Sequence, residues 1–288
     1  MQSNICLYSS QLASYIGLNP YKPAYKSFEE LLVRCNISKD KEKEQVEEII
    51  EKVGKEKVEE ILKDSTDIVK VDANIEVIKK LIEAGTLRAE DKKKISEYLT
   101  REIRMEYGKK NENKVIQHYA QVSGLEIEAD DKFYCEPVGD VMGVKWSVGG
   151  RIDGKTKEMI LEIKNRTKRL FGRVPGYEKV QVMAYLYLFR NLGREKLRHV
   201  ECFDCGEMRM NVTDFEWEGE YWNFLVKKLE RFVEFFVKYQ RDEELRNTYE
   251  NLAEKQKEEV FIFLQTTEKT INEILAFVKM DIFERLEQ

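Results

Sequence analysis

Apolar side chains recur at helical spacing over much of this chain and alternate in only a few short stretches. Residues 6–18 put their apolar positions on one side of a short predicted helix, which runs into the turn Gly17-Leu18-Asn19-Pro20-Tyr21 and a second apolar helix over 28–33. Between about 36 and 104 the sequence shifts to Lys, Glu and Ile. Val46, Ile49, Ile50 and Val53, then Val58, Ile61 and Leu62, keep the spacing of surface helices, and together they predict a helical insert. A coiled coil is the alternative, but its heptad is interrupted at Gly54 and at Asp64-Ser65-Thr66-Asp67, which favours a helical subdomain. From Tyr107 a further helix is predicted over about 110–122, then two alternating stretches, 147–153 and 159–164. These are joined by Gly154-Lys155-Thr156-Lys157-Glu158 and read as a hairpin. A basic loop, a helix over about 177–192, a strand pair around 197–213 and helical sequence from about Gly219 onward complete the pattern. Strands framed by helices predict an α/β core carrying helical additions.

Charged residues make up 36% of the 288 positions, and no run approaches the roughly 18 apolar residues of a spanning helix. The amino terminus also lacks the basic-then-apolar order of a secretory signal, so a cytoplasmic or nuclear protein without membrane contact is expected. Five cysteines, an odd number, fit free thiols in a reducing compartment. The pair Cys202-x-x-Cys205 has metal-ligand spacing but finds no matching second pair, and His118 and His199 do not supply one, so structural thiols are the preferred reading. The histidines also lie in no nucleophile motif, which disfavours serine hydrolase chemistry. With a net charge of −5 the molecule offers no general attraction for nucleic acid, so any such binding needs a local patch.

Such a patch follows the strand 159–164, where Lys164, Arg166, Lys168, Arg169 and Arg173 crowd together. Basic side chains of this kind neutralise phosphates and release counterions; a solvated loop is the alternative. Phe171 in the same loop either stacks on a base or packs beneath it. In the strand itself, alternation puts Glu162 and Lys164 on one face, with Leu161 and Ile163 on the other. Asp153 on the same hairpin adds a second carboxylate, which makes a hard-oxygen site for Mg²⁺ beside a lysine; an ion pair on an exposed edge strand explains the pattern equally well. Glu112 lies in phase with Ile116 and Tyr119 and interrupts an apolar stripe, either as a third metal ligand or as a charge favoured near a helix start. Gln181 and Tyr185, four residues apart, share a helix face beside the loop, to support such a site or to pack in the core.

Gly108-x-x-x-Glu112, Gly150-x-x-Asp153, Glu162-x-Lys164 and Gln181-x-x-x-Tyr185, in this order, resemble the motif series of the PD-(D/E)XK nucleases of the RecB-like and phage lambda exonuclease-like branch. Within it, Ser9-Ser10-Gln11-Leu12-Ala13 through Ile16-Gly17-Leu18-Asn19-Pro20-Tyr21 is similar to the amino-terminal motif of the YqaJ-type viral recombinase exonucleases. The resemblance covers about 8–36 and 105–240. It implies a restriction-endonuclease-like α/β fold in which a mixed central sheet is flanked by helices, with a nuclease core at 1–36 and 105–240, a helical insert at 37–104 and a helical extension at 241–288. It also implies that Glu112, Asp153, Glu162 and the main-chain carbonyl of Ile163 hold Mg²⁺ or Mn²⁺, that Lys164 acts on the attacking water, and that Gln181 and Tyr185 support the site. Ser10 matches the phosphate-serving serine and joins Arg166, Lys168, Arg169 and Arg173 as expected DNA contacts.

The activity so implied is 5′-to-3′ exonuclease digestion of linear duplex DNA with a free end, in recombination, alongside a single-strand annealing protein and in an oligomeric state the motifs leave open. No iron-sulfur cluster is expected, because a late group of three cysteines is missing. The arginine that such enzymes place ahead of the serine for the terminal phosphate is also missing. The alternatives are therefore a single-strand or structure-selective endonuclease of the same fold, and a non-catalytic DNA-binding relative. Occupation of every metal and lysine position by a competent residue disfavours the last.

Overall fold

The structure is a computed structural model that describes residues 4–64, 68–276 and 278; the expected break at 65–67 lies outside the described residues. Two mixed sheets carry the chain. The smaller has the order β1-β4-β3, with β1 (Asn4–Tyr8) parallel and β3 (Tyr134–Val141) antiparallel to β4 (Val144–Gly150). The larger has the order β2-β5-β6-β7-β8, from β2 (Glu128–Ala129), β5 (Gly154–Lys155), β6 (Met159–Asn165), β7 (Lys196–Asp204) and β8 (Met208–Glu216); only its β6–β7 pairing is parallel.

The expected hairpin between 147–153 and 159–164 is corrected by this division. β4 ends at Gly150 and stays in the small sheet, and β6 pairs instead with the two-residue β5, in the register Gly154↔Leu161 and Lys155↔Ile160. At the end of β4 only glycine fits: a Cβ on Gly150 would lie 2.6 Å from Ser9 Oγ and 2.8 Å from Tyr185 Cε1. The expected helix over 6–18 is likewise only partly present. Residues up to Tyr8 form β1, a 3-10 turn covers Ser9–Gln11, and α1 is Leu12–Tyr15. The alternation Ile5, Leu7 with Cys6 between them buries one face of β1 and outweighs the helical pattern.

The larger sheet lies between two helices. Leu161 and Ile163 of β6 and Val200 and Cys202 of β7 face α6 (Ala89–Ser123) and pack on its Val115, Ile116 and Tyr119. The other face of the sheet, with Ile160 and Leu197, belongs to the main core together with α7 (Gly176–Arg190). Cys202 is thus a buried packing thiol and Cys205 an exposed one. α2 (Ala24–Arg34), α8 (Gly219–Arg241), α9 (Glu243–Glu250) and α10 (Glu254–Thr266) close the core around Phe28. Its ring lies within 6.1 Å of those of Phe232, Phe235, Phe236, Tyr239, Tyr249 and Phe261. α9 and α10, expected as an extension, are therefore part of the same core.

α3 (Lys41–Val53), α4 (Lys55–Asp64) and α5 (Ile68–Ala84) bury a core of their own, in which Val46, Val58, Val71 and Ile78 meet Ile95, Leu99 and Ile103 of α6. The boundary expected near Arg104 falls inside α6, which runs unbroken from this core to the sheet. Among the described residues no helix is long and apolar enough to cross a membrane. Removal of the most crowded ring tests the aromatic core: Phe28→Ala is expected to cost about 3–5 kcal/mol, read as a lower denaturation midpoint with unchanged insert helicity.

Candidate active site

β5 begins only at Gly154, opposite Leu161, so the edge of β6 beyond Leu161 is left without a strand partner on that side. Asp153 fills part of the gap, its Oδ2 accepting from the Ile163 N–H at 2.6 Å. Because one residue's N–H and C=O leave a strand on the same side, the Ile163 carbonyl also faces this edge. Glu162 projects from the α7 face of β6 and is 3% exposed. Its Oε1 accepts from Lys164 Nζ at 2.5 Å, while its Oε2 is buried with no hydrogen-bond partner. Lys164 Nζ also donates to Gln181 Oε1 at 3.0 Å, and Gln181 Nε2 donates to the hydroxyl of the buried Tyr185 at 2.9 Å. A continuous line Glu162–Lys164–Gln181–Tyr185 thus joins β6 to α7.

Glu112 approaches from α6, on the other face of the sheet, and is half-buried. It lies deep within α6, which begins at Ala89, so a helix-start charge does not explain it. The exposed edge-strand ion pair is excluded as well: the pair exists, but Glu162 is buried inside the five-stranded sheet. Nearby, Asn165 Nδ2 donates to the Gly108 carbonyl at 2.9 Å and ties the end of β6 to α6 one turn before Glu112.

The electrostatics of the three carboxylates are linked. Burial, then the charge of Glu112, raises Asp153 to about 7; burial, then the charge of Asp153, raises Glu162 to about 7. Burial, then Glu162, also raises Glu112. Burial pulls the Lys164 ammonium down, but Glu162 and Asp153 outweigh it and hold the group above its usual range. One ammonium therefore faces three acids.

The donors are all hard oxygens, and the orphaned Oε2 of Glu162 is an unsatisfied buried acceptor, which suits an oxygen-seeking divalent cation. Glu112, Asp153 and Glu162 sense one another without closing into a group: among the described residues no three His, Cys, Asp or Glu side chains are drawn together as a ready metal cage.

The basic loop divides into two kinds of residue. Lys168, Arg169 and Arg173 are exposed and pair with no carboxylate among the described residues, and Ser10 is exposed too. Arg166, expected as a DNA contact, is corrected. Its Nη1 and Nη2 donate to Glu178 at 2.7 and 2.8 Å, and its Nε donates to Glu201 at 2.6 Å, so its donors are turned inward and neutralised. Glu178 is held at about 2: burial would raise it, but hydrogen bonds from His199 and Arg166 win. This buried group of Arg166, Glu178, His199 and Glu201 was not anticipated from the sequence. Its signal was legible in β7, where His199 and Glu201 alternate on the same face as Leu197, an odd place for charge in a buried strand. Ser9 is a second addition: it is buried, and its Oγ donates to the Gly149 carbonyl at 2.9 Å beside Gly150.

The raised acids give a signed pH dependence. A folded state that keeps protons up to about 7 on Asp153 and Glu162, where an unfolded chain loses them near 4, becomes less stable as pH rises between those values. Mg²⁺, if these carboxylates hold it, would oppose this loss. Its stabilisation, about 2.7 kcal/mol at a hundredfold excess over Kd, is expected in melting curves at pH 8, to shrink at pH 5, and to vanish in Glu162→Gln at both.

Three solved structures are similar to this chain at low identity. An alkaline exonuclease, LHK-Exo, from Laribacter hongkongensis matches at 12% identity and TM-score 0.47, over 86% of this chain and 94% of that one. The same enzyme in complex with dAMP matches at 16% and 0.39, over 52% and 75%. The crystal structure of SSO0001 matches at 19% and 0.36, over 48% of this chain and 66% of that chain, so this chain spans just under two thirds of that length. No curated protein sequence matches. A family model does match, over residues 5–188, more than half of the chain and all of the site from Ser10 to Tyr185. By that match, and with the ordered motifs now brought together around β6, the chain belongs to the YqaJ-like viral recombinase domain family.

Proposed function

We propose that this chain is a divalent-metal-dependent DNA nuclease and, within that class, a 5′-to-3′ exonuclease that acts on linear duplex DNA in recombination, ahead of a strand-annealing partner. The observation that carries the reading is the buried pair Glu162–Lys164, with one carboxylate oxygen unsatisfied and the ammonium pinned by Gln181. Family membership and the hard-oxygen donors support it; the direction of digestion rests on the family likeness alone. Glu112, Asp153, Glu162 and the Ile163 carbonyl would hold Mg²⁺ or Mn²⁺. When bound, such an ion neutralises phosphate charge and lowers the pKa of a coordinated water.

The protein's own groups do the rest. Lys164, which Glu162 and Asp153 hold above its usual range, is placed to act on the attacking water and to stabilise charge as it grows on a phosphate oxygen. Gln181 fixes the ammonium, and the Tyr185 hydroxyl fixes the Gln181 amide, so that the donor is oriented before the substrate arrives. Lys168, Arg169, Arg173 and Ser10, all exposed, take the DNA backbone.

End-labelled linear duplex incubated with Mg²⁺ tests the reading. Lys164→Ala is expected to cut the rate by about 10²–10³ with little change in duplex affinity measured in EDTA. If wild type leaves the duplex intact at every Mg²⁺ or Mn²⁺ concentration, the nuclease reading falls. Covalently closed circular DNA is expected to survive; its cleavage would replace the exonuclease with an endonuclease of the same fold.

A further inference from the structure

The loop after β6 borders an open, shallow cavity of about 540 Å³ lined by Arg169, Phe171, Arg173 and Tyr177, with Tyr21 of the Gly-Leu-Asn-Pro-Tyr turn also lining it. Phe171 is 40% exposed there and Tyr21 77% exposed. An exposed phenyl ring on a loop is normally free to move, but this one is held from behind. The Arg166 guanidinium lies 4.1 Å from the Phe171 ring centroid, and the Phe171 N–H donates to Glu201 Oε1 at 2.8 Å. Arg166 is itself locked by Glu178 and Glu201, and Glu178 by His199. Tyr21 meets Tyr177 edge to face, with centroids 5.7 Å apart at 89°. The cavity thus has a backed aromatic platform, a further aromatic lining and two exposed guanidinium groups.

We propose that this cavity is a subsite for an unpaired nucleotide of the DNA substrate: the base stacks on Phe171 against Tyr21, and Arg169 and Arg173 take its phosphate. The chemistry matches on each count. A base has a π face that a held ring accepts without regard to sequence, and stacking gains most where the ring has already lost its freedom. The place matches as well: Gly176, which lines the cavity, starts α7, and Gln181 lies five residues on, about 7.5 Å along the helix axis. That is close to the reach of a single nucleotide from the side chain that holds Lys164. Arg166 in this scheme is a positioning residue, acting on the DNA only through Phe171. The proposal deepens the nuclease reading by giving the site a grip on an opened strand, and it is tested without cleavage.

The probe is a fluorescein-labelled duplex carrying a four-thymidine overhang, beside the same duplex with four abasic residues in the overhang, titrated with the full chain in EDTA. Wild type is expected to bind the thymidine overhang about thirtyfold more tightly, the middle of the range for loss of one base stack. Phe171→Ala is expected to remove that preference and Phe171→Trp to keep it, both with wild-type melting curves. Arg169→Ala and Arg173→Ala are expected to weaken both probes alike and to lower the salt slope by about one each. Equal wild-type affinity for the two overhangs, or a preference that survives Phe171→Ala, overturns the subsite. A duplex that resists digestion in Mg²⁺ while the thymidine preference persists overturns the nuclease reading and leaves the subsite standing.

Discussion

Glu162 is a carboxylate that folding has removed from water with one oxygen still unpartnered, and much of its neighbourhood is arranged to tolerate that charge. Such a group is costly unless a cation is held against it. Lys164 supplies one, two residues on along the same strand face. With Asp153 and Glu112 adding acid from the loop and from α6, one ammonium does not balance the set, and the carboxyls respond by holding their protons to higher pH. The arrangement is poor as a device for stability and well suited to a protein that takes up a divalent cation.

A second buried group of charges lies beside the first on the same face of the sheet. β7 runs parallel to β6 and brings His199 opposite Glu162 and Glu201 opposite Lys164. There Arg166 and Glu178 complete a buried set in which each acid meets a donor. The two groups differ in that respect: the second is satisfied and rigid, and the first is not. A satisfied polar network fixes the start of α7 and the root of the basic loop, so Gln181 on one side and Phe171 on the other are positioned by the same four residues.

α6 joins the two hydrophobic cores. Its first half is buried against the insert helices, its second half against the sheet, and Glu112 sits just past the junction. The aromatic cluster around Phe28 binds α2 to α8 and α10.

The local order of the chain was legible in its residues wherever one periodicity ruled. The helices at 28–33, 110–122 and 177–192, the strand pair around 197–213 and the helical insert follow from spacing alone, and the four motifs in order pointed to the family. Alternation in β6 was enough to place Glu162 and Lys164 on one face. It could not distinguish a wet edge from a buried interior, since that depends on β7, which arrives from more than thirty residues away. The same limit applied to Arg166, a cation in a basic run that looks like its neighbours until two distant carboxylates claim it. Division into two sheets was hidden as well, because β4 and β6 alternate alike and only the strands that each pairs with through space show where they part. What the sequence determined by itself was the set of chemical groups and the faces they share, because those follow from backbone periodicity. Only the tertiary structure decided which charges are satisfied and which are left waiting, because that depends on partners brought together through space.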